Sequence, residues 1–372
     1  MIQNRPDTDD FLPLILNDVP LMDVRAPVEY EKGSFPCAKN IPILDDHQRE
    51  VIGTEYKQKG QDAAVNLGYE LATDEIKAER LNSWQAFVKA NPEGYLFCFR
   101  GGQRSHITQA WLKESGHPYP LIKGGYKALR RFLIDELEAS VEQCSFIILS
   151  GKTGTGKTRL IHQIDTSVDL EGLANHRGSS FGRRCGGQPG QIDFENTLSI
   201  DMLKHRHLKG NTPVLLEDES KLIGRCSLTQ SYRDKMQLSS IILLEESIEE
   251  RVEVGLQEYV RDNLTDFQNE LGNEEGFEQF QEGLKDSLLR IRRRLGGERY
   301  QQLADILDTA ISLHVNQNNI DGYRPLIELL LTGYYDPMYE YQLSQKEGKI
   351  LFKGNRKEIL AAYSELSTGY SS

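Results

Sequence analysis

The chain has 372 residues, 38% of them hydrophobic and 27% charged, with a formal net charge of −12. That length exceeds one typical core and predicts two domains, and the acidic balance argues against a protein that coats nucleic acid through a general positive field. No apolar run approaches the roughly 20 residues of a membrane span, the start "MIQNRPDTDDFLPL" lacks a signal-peptide pattern, and five widely spaced cysteines speak for a reducing compartment over a disulfide framework. No membrane partner and a cytoplasmic location are therefore expected.

Taken in order, "PLMDVR" and "YLFCF" have the short apolar character of buried strands. Between them "DEIKAERLNSWQAFVKA" places Ile76, Leu81, Trp84, Phe87 and Val88 at helical spacing, so one face is apolar. The second strand runs straight into "CFRGGQRS", a C-x5-R loop from Cys98 to Arg104, with a helix expected to begin near Ser105. Gly101 and Gly102 permit the dihedrals a wrapped loop needs. Arg104 and the helix N-terminus both add positive potential, which favours thiolate over thiol at Cys98. Two chemistries suit such a site: phosphate-ester cleavage, or transfer of sulfur or selenium. Arg100, Gly101, Gly102 and Gln103 would then cradle the anion.

A mixed-charge helix, "GYKALRRFLIDELEASVEQ", leads to a second set of strands, "CSFIILS", "TPVLLED" and "SSIILLEE". The domain boundary is placed inside that helix, giving domains 1–140 and 141–372. "GKTGTGKT" follows the first of these strands, Phe146 to Leu149, and opens a helix expected from Lys157 to Ile164. It fits the P-loop pattern at every required position and in the right context. Gly151, Gly154 and Gly156 let backbone N–H groups close on phosphate oxygens, Lys157 reaches the terminal oxygens, and Thr158 is a candidate Mg²⁺ ligand. No other metal site is expected, since no spaced His/Cys set exists.

Acids at the end of "VLLEDES", namely Glu217, Asp218 or Glu219, are candidates to hold a metal or its water shell. "DLEGLANHRGSSFG" adds His176, Arg177, Ser179 and Ser180, and Lys221 and Arg225 follow in "EDESKLIGR". With Arg183 and Arg184 nearby, their concentration around the phosphate cradle favours a second anionic group, and Arg177 is counted with the P-loop residues as cofactor-binding. Beyond Ser247 the pattern is mostly helical, with Gly296-Gly297 breaking the longest stretch. Cys37, Cys144 and Cys226 read as inert, whereas Cys185, in "RRCGGQPG", has an electropositive setting that could make it a second reactive thiol.

"LMDVRAPVEYEKGSFPCAKNIPI", with Asp23, Arg25, Glu29, Tyr30, Gly33, Ala38, Asn40 and Pro42, together with the C-x5-R loop and Gly124-Gly125, resembles the rhodanese fold over residues 8–135, with an insertion-like helical stretch in the middle. That resemblance implies sulfur or selenium transfer through Cys98, with Arg104 stabilising the anion. The expected fold is thus α/β throughout: a rhodanese-like domain with a parallel sheet, then a P-loop NTPase-like domain with a helical extension. The combination with "DLEGLANHRGSSFG", "LLEDESKLIGR", "RRLGGERY" and "YYDPMYEYQ" resembles the tRNA 2-selenouridine synthase family over nearly the whole chain. The resemblance implies replacement of sulfur by selenium at C2 of a wobble 2-thiouridine in tRNA. Geranyl diphosphate first alkylates the sulfur, and selenophosphate then supplies selenium, which Cys98 would hold as a perselenide.

No bound organic cofactor is implied; selenophosphate and geranyl diphosphate act as co-substrates, and a selenophosphate-producing enzyme is an expected partner. The cradle is assigned to geranyl diphosphate, although ATP fits the same loop. Candidate tRNA contacts are Arg183, Arg184, Arg292, Arg293 and Arg294, with Arg290 and the "KHRHLK" run from Lys204 to Lys209 as further basic groups. Two rival readings remain: a rhodanese-like thiol phosphatase or sulfurtransferase fused to an ATP-dependent kinase-like module, and a nucleotide-switched scaffold without chemistry.

Overall fold

The computed structural model describes residues 5–344 and 346–370. The chain divides into two compact units: residues up to Ala139 together with Gly190–Lys204, and Ser140–Pro189 together with residues from His205 onward. Segment 190–204 therefore belongs with the first unit, unlike in the linear partition at residue 140. Its side chains give the reason. Asp193 accepts from Ser34 N (2.7 Å) and Asn196 donates to Ser34 O (2.6 Å), while Ile200 and Leu203 are buried with Leu14, Leu129 and Leu133.

In the first unit, β1 (Leu21–Asp23), β2 (Ala38–Asn40) and β3 (Tyr95–Phe97) form a parallel sheet in the order β2-β1-β3. Three helices, Asp46–Lys59, Gln61–Leu71 and Asp74–Ala90, lie in the chain between β2 and β3. Asp45 and Gln48 form a reciprocal capping box at the first, and such boxes satisfy N-terminal donors that the helix itself cannot. Gly60, at φ +87°, turns the chain between the first and second. The third has the bounds its periodicity predicts and buries Trp84, Phe87 and Val88. Trp84 Nε1 donates to Ile41 O (3.0 Å), pinning this helix to the segment leaving β2.

The second unit has a five-stranded parallel sheet. Its strands are β4 (Phe146–Gly151), β5 (Ser167–Val168), β6 (Val214–Glu217), β9 (Ser240–Leu244) and β10 (Ile350–Gly354), in the order β10-β9-β4-β6-β5; a small antiparallel hairpin, β7 (Leu222–Ile223) with β8 (Cys226–Ser227), stands apart. β4, buried along its whole length, is central. β10 was not expected in a segment read as mostly helical. It is an edge strand whose residues alternate between half-buried and exposed, so it lacks the continuous apolar run that marks the inner strands. The helical extension includes Asn273–Leu295 and Gly297–Gln317, separated at Gly296 (φ +81°) as the glycine pair predicts. Phe280, Leu284, Leu288 and Ile291 of the first pack with Leu303 and Leu307 of the second. Among the described residues no helix is long and apolar enough to cross a membrane.

One buried ion pair organises the first unit. Arg25 and Asp23, 1% and 0% exposed, meet at 2.6 Å, and Arg25 also donates to Gly33 O (2.9 Å) and Glu29 O (3.1 Å). Asp23→Ala would leave the guanidinium buried without its counter-charge, which costs about 3–5 kcal/mol. Both tryptophans of the chain, Trp84 and Trp111, are buried in this unit, so tryptophan fluorescence during urea unfolding reads it selectively. The expected result is a lowered midpoint for Asp23→Ala and a smaller loss for the double variant Asp23→Ala/Arg25→Met.

Candidate active sites

Cys98 immediately follows β3 and is buried, 3% exposed. The loop after it ends at helix Gln103–Glu114, with Gly102 as N-cap, so the helix begins two residues earlier than the sequence suggested. Its first-turn N–H groups have no intrahelical acceptor and face back toward the loop. Gly101 takes φ +62° and Gly125 φ +59°; a Cβ on Gly125 would stand 2.2 Å from the Cys98 carbonyl oxygen and 2.5 Å from Gly101 N. Glycine is therefore required at 125 both by conformation and by space. Directly beyond, Tyr126 and Lys127 donate their N–H groups to Cys98 O (2.9 Å) and Phe99 O (3.0 Å). The Gly124-Gly125 motif thus clamps the thiol loop from behind.

Arg104 does not stand free. Its guanidinium binds both carboxylate oxygens of Glu29, at 2.5 and 3.1 Å. Burial works against the charge on Arg104, but the Glu29 hydrogen bonds, the Glu29 charge and the nearby Cys98 and Asp23 outweigh it and raise its pKa. For Glu29, burial is likewise outweighed by the Arg104 contact, so its carboxyl lies below its ordinary value. Arg25 holds the backbone of this assembly, with its guanidinium 3.9 Å from the centre of the Tyr126 ring. Ser105, which sequence reasoning passed over, is fully buried with no hydrogen-bond partner for its hydroxyl among the described residues.

In the second unit, the P-loop leaves β4 and enters helix Lys157–Ile161. This helix is shorter than the expected span to Ile164 because Gln163 and Ile164 close tighter turns onto Leu160 and Ile161. Gly154 and Gly156 have φ of +82° and +77°, and a Cβ on Gly151 would meet Leu244 O at 2.8 Å. Lys157 Nζ donates to Gly151 O (2.7 Å) and Thr158 Oγ1 to Glu171 (3.2 Å). The loop borders a cavity of about 820 Å³, also lined by Arg177, Glu171, Glu219, Lys221, Arg233 and Lys346. Tyr334, Tyr335, Tyr339 and Tyr341, with Met338 beside them in sequence, give this cavity an aromatic wall.

The three acids proposed from sequence have different places. Asp218 is held by Ser150 (2.5 Å) and Lys346 (2.7 and 2.8 Å), which makes it part of an ion pair at the cavity. Glu217 is fully buried and accepts from Leu170 N (2.7 Å). Glu219 faces the cavity with Glu171. Glu171 lay within a quoted motif but was not singled out, because a lone glutamate beside a glycine carries no spacing signal. Burial, reinforced by the neighbouring acids, raises Glu217 and Glu219 well above their ordinary values; burial also raises Glu171 against the pull of Lys157. The oxygen-only set of Thr158, Glu171 and Glu219 suits Mg²⁺, which favours one or two carboxylates completed by phosphate and water.

The basic groups divide similarly. Arg177 is 8% exposed, with Nη1 unpartnered among the described residues. Burial and the charges of Arg183, Arg290, Arg184 and Arg177 lower the pKa of His176, which marks a convergence of four cations. Arg183 is exposed and Arg184 half-buried. Arg292, Arg293 and Arg294 are exposed at the end of Asn273–Leu295; Arg294 borders the cavity and contacts Tyr334 OH (3.3 Å), while Arg292 lies over the Tyr300 ring. The "KHRHLK" run is largely committed elsewhere: Lys204 pairs with Asp18, Lys209 with Asp165, and His205 is buried against Thr212 O. Cys185 departs from its electropositive reading. Burial and the Glu270 side chain push its thiol up to about 11, which disfavours the reactive thiolate.

The first unit thus carries a glycine-bounded loop with a buried thiol after one parallel sheet, and the second carries a P-loop after another. The family model for the tRNA 2-selenouridine synthase AAA domain matches residues 144–368. A tRNA 2-selenouridine synthase from Marinobacter nauticus is 54% identical over 356 residues, covering 96% of this chain and 97% of that protein, and one from Alcanivorax borkumensis is 52% identical over 357 residues, covering 96% and 98%. A third, from Pseudomonas syringae pv. syringae, is 49% identical over 361 residues, covering 97% and 98%. The chain belongs to the tRNA 2-selenouridine synthase family.

The buried acid cluster has a pH consequence. Glu217 holds its proton more tightly when folded than at its ordinary value of 4.5, so stability falls as pH rises from that value through the folded pKa. Glu217→Gln keeps an acceptor for Leu170 N and removes this loss. Without divalent cations, its melting temperature should exceed that of the wild type at pH 8, with the difference shrinking toward pH 4.5.

Proposed function

We propose that this protein converts wobble 2-thiouridine in tRNA to 2-selenouridine in two stages, one at each loop. In the first, the thiouridine sulfur attacks the allylic carbon of geranyl diphosphate. A C–S bond forms, the C–O bond breaks, and diphosphate leaves with the electron pair while N3 gives up its proton. The observation that carries this assignment is the composition of the second unit's cavity, where a phosphate loop and an aromatic wall line one space. Lys157 and Arg177 would hold the diphosphate, and the tyrosines and Met338 would cover the isoprenoid. Mg²⁺, when bound near Thr158, Glu171 and Glu219, supplies charge neutralisation for the leaving diphosphate.

The second stage uses the thiol loop. Selenophosphate carries selenium at the oxidation level of selenide, so storing it as a perselenide on Cys98 would demand a two-electron oxidant. A balanced route needs none. The Cys98 thiolate attacks phosphorus, the P–Se bond breaks, and hydroselenide is released beside the bound base. Hydroselenide adds at C2, its proton passes to N3, and geranylthiolate departs with the C–S electron pair. Water then frees phosphate from Cys98. The loop amides of Arg100 to Gln103, with Arg104 set by Glu29, would stabilise the phosphoryl group.

The RNA backbone would be met by Arg183, Arg184, Arg290 and the exposed Arg292–Arg294 stretch, local basic groups on an acidic protein. A separate selenophosphate-producing enzyme would supply the selenium donor.

Nucleoside mass spectrometry on tRNA containing 2-thiouridine, incubated with geranyl diphosphate and selenophosphate, tests the assignment. The wild type should yield selenouridine, Cys98→Ser should accumulate S-geranyl-2-thiouridine, and Lys157→Ala should leave thiouridine. Unchanged thiouridine with the wild type, even with ATP and Mg²⁺ added, would favour the thiol-phosphatase reading.

A further inference from the structure

The helical stretch between β2 and β3, which the rhodanese resemblance left as an insertion, builds a second cavity. It measures about 450 Å³ and lies entirely within the first unit. Its lining includes Ile43, Leu44, Ile52, Val65, Ile107 and Trp111, together with Gly102, Gln103 and Arg104, where the thiol loop enters its helix. Ile43 and Trp111 belong to the same buried cluster as Cys98, with Leu44 and Ile107 packed against it. Tyr56 and Tyr69, 56% and 51% exposed, also line the cavity.

The lining identifies the class of ligand. Of the polar groups at the cavity, Arg104 is paired with Glu29, Arg80 donates to Gln48 (2.5 Å), and Gln61, Gln103 and His106 are exposed to solvent. Most of the remaining wall is aliphatic or aromatic. A nucleobase would require several convergent donors and acceptors, whereas an apolar chain requires only such walls. The volume is in the lower part of the usual range for small-molecule sites, roughly 300–1,000 Å³.

We propose that this cavity receives the geranyl chain of S-geranyl-2-thiouridine while selenium replaces sulfur over the thiol loop. The proposal rests on the reading that selenation passes through the S-geranyl intermediate. Seating the chain beside Gly102–Arg104 brings C2 and its sulfur to the loop that delivers hydroselenide. It also gives the departing geranylthiol an apolar place to enter, where water would offer none. Recognition of the chain would then separate alkylated from unalkylated thiouridine at the selenium stage.

The test uses two RNA substrates, one with S-geranyl-2-thiouridine and one with S-methyl-2-thiouridine, each supplied with selenophosphate. Val65→Trp fills the cavity and Ile52→Gln makes its wall polar; neither residue touches a reacting group. Both variants should lose about tenfold or more in kcat/KM on the geranylated RNA, since each buried methylene contributes to binding. Turnover of the S-methyl RNA, and formation of S-geranyl-2-thiouridine from geranyl diphosphate, should match the wild type. Equal loss on both RNAs would make the cavity structural and overturn the proposal, as would unchanged turnover on both. Loss confined to S-geranyl formation would move the chain to the first stage and also overturn it. A different failure is distinguishable: a wild type that makes selenouridine from thiouridine but never from geranylated RNA would remove the S-geranyl route itself.

Discussion

Arg25 carries a full charge into the interior of the first unit, and the thiol site is arranged around the groups that hold it there. Asp23 supplies the counter-charge from β1. Glu29 and Gly33 supply carbonyls, and the Tyr126 ring covers the guanidinium. Two of these partners continue into the site: the Glu29 side chain fixes Arg104, and Tyr126 is the residue whose N–H binds the Cys98 carbonyl. A charge removed from water tolerates little movement of its partners, because a lost contact leaves it unsatisfied. Pre-set geometry of this kind is what a loop needs if it is to stabilise an anion without reorganising.

The second unit applies a similar constraint with the opposite sign. Glu171, Glu217 and Glu219 are crowded and desolvated, so protons or cations must balance them. Lys157 is the nearby fixed cation for Glu171 and Glu219, while Arg177 and its arginine neighbours hold the opposite charge. A diphosphate with Mg²⁺ would enter a field that already contains both signs.

Much of this arrangement was legible in the sequence because backbone geometry leaves its mark in glycine. Gly101, Gly125, Gly154 and Gly156 all occupy positive φ at the two loops, and their spacing around Cys98 and Lys157 was readable without coordinates. The inner strands were equally plain as apolar runs. What escaped was set by tertiary packing. β10 alternates in burial at a sheet edge, Glu171 gains meaning only beside Thr158 and Glu219, and the partnership of Glu29 with Arg104 spans 75 positions. Cys185 shows the limit of reading charge from neighbours in sequence: two arginines precede it, yet the side chain that governs its thiol is Glu270. The apolar cavity beside the thiol loop draws on four helices and the segment after β2, and no contiguous segment announces it.

The central claim is that the two loops divide the reaction, with the P-loop serving alkylation alone. Lys157→Ala, given RNA that already carries S-geranyl-2-thiouridine together with selenophosphate, measures this without any contribution from the first stage. The account predicts selenouridine at the wild-type rate, because the Cys98 loop is intact. Failure of the correctly folded variant to turn over that RNA would place the P-loop in selenium transfer and contradict the division.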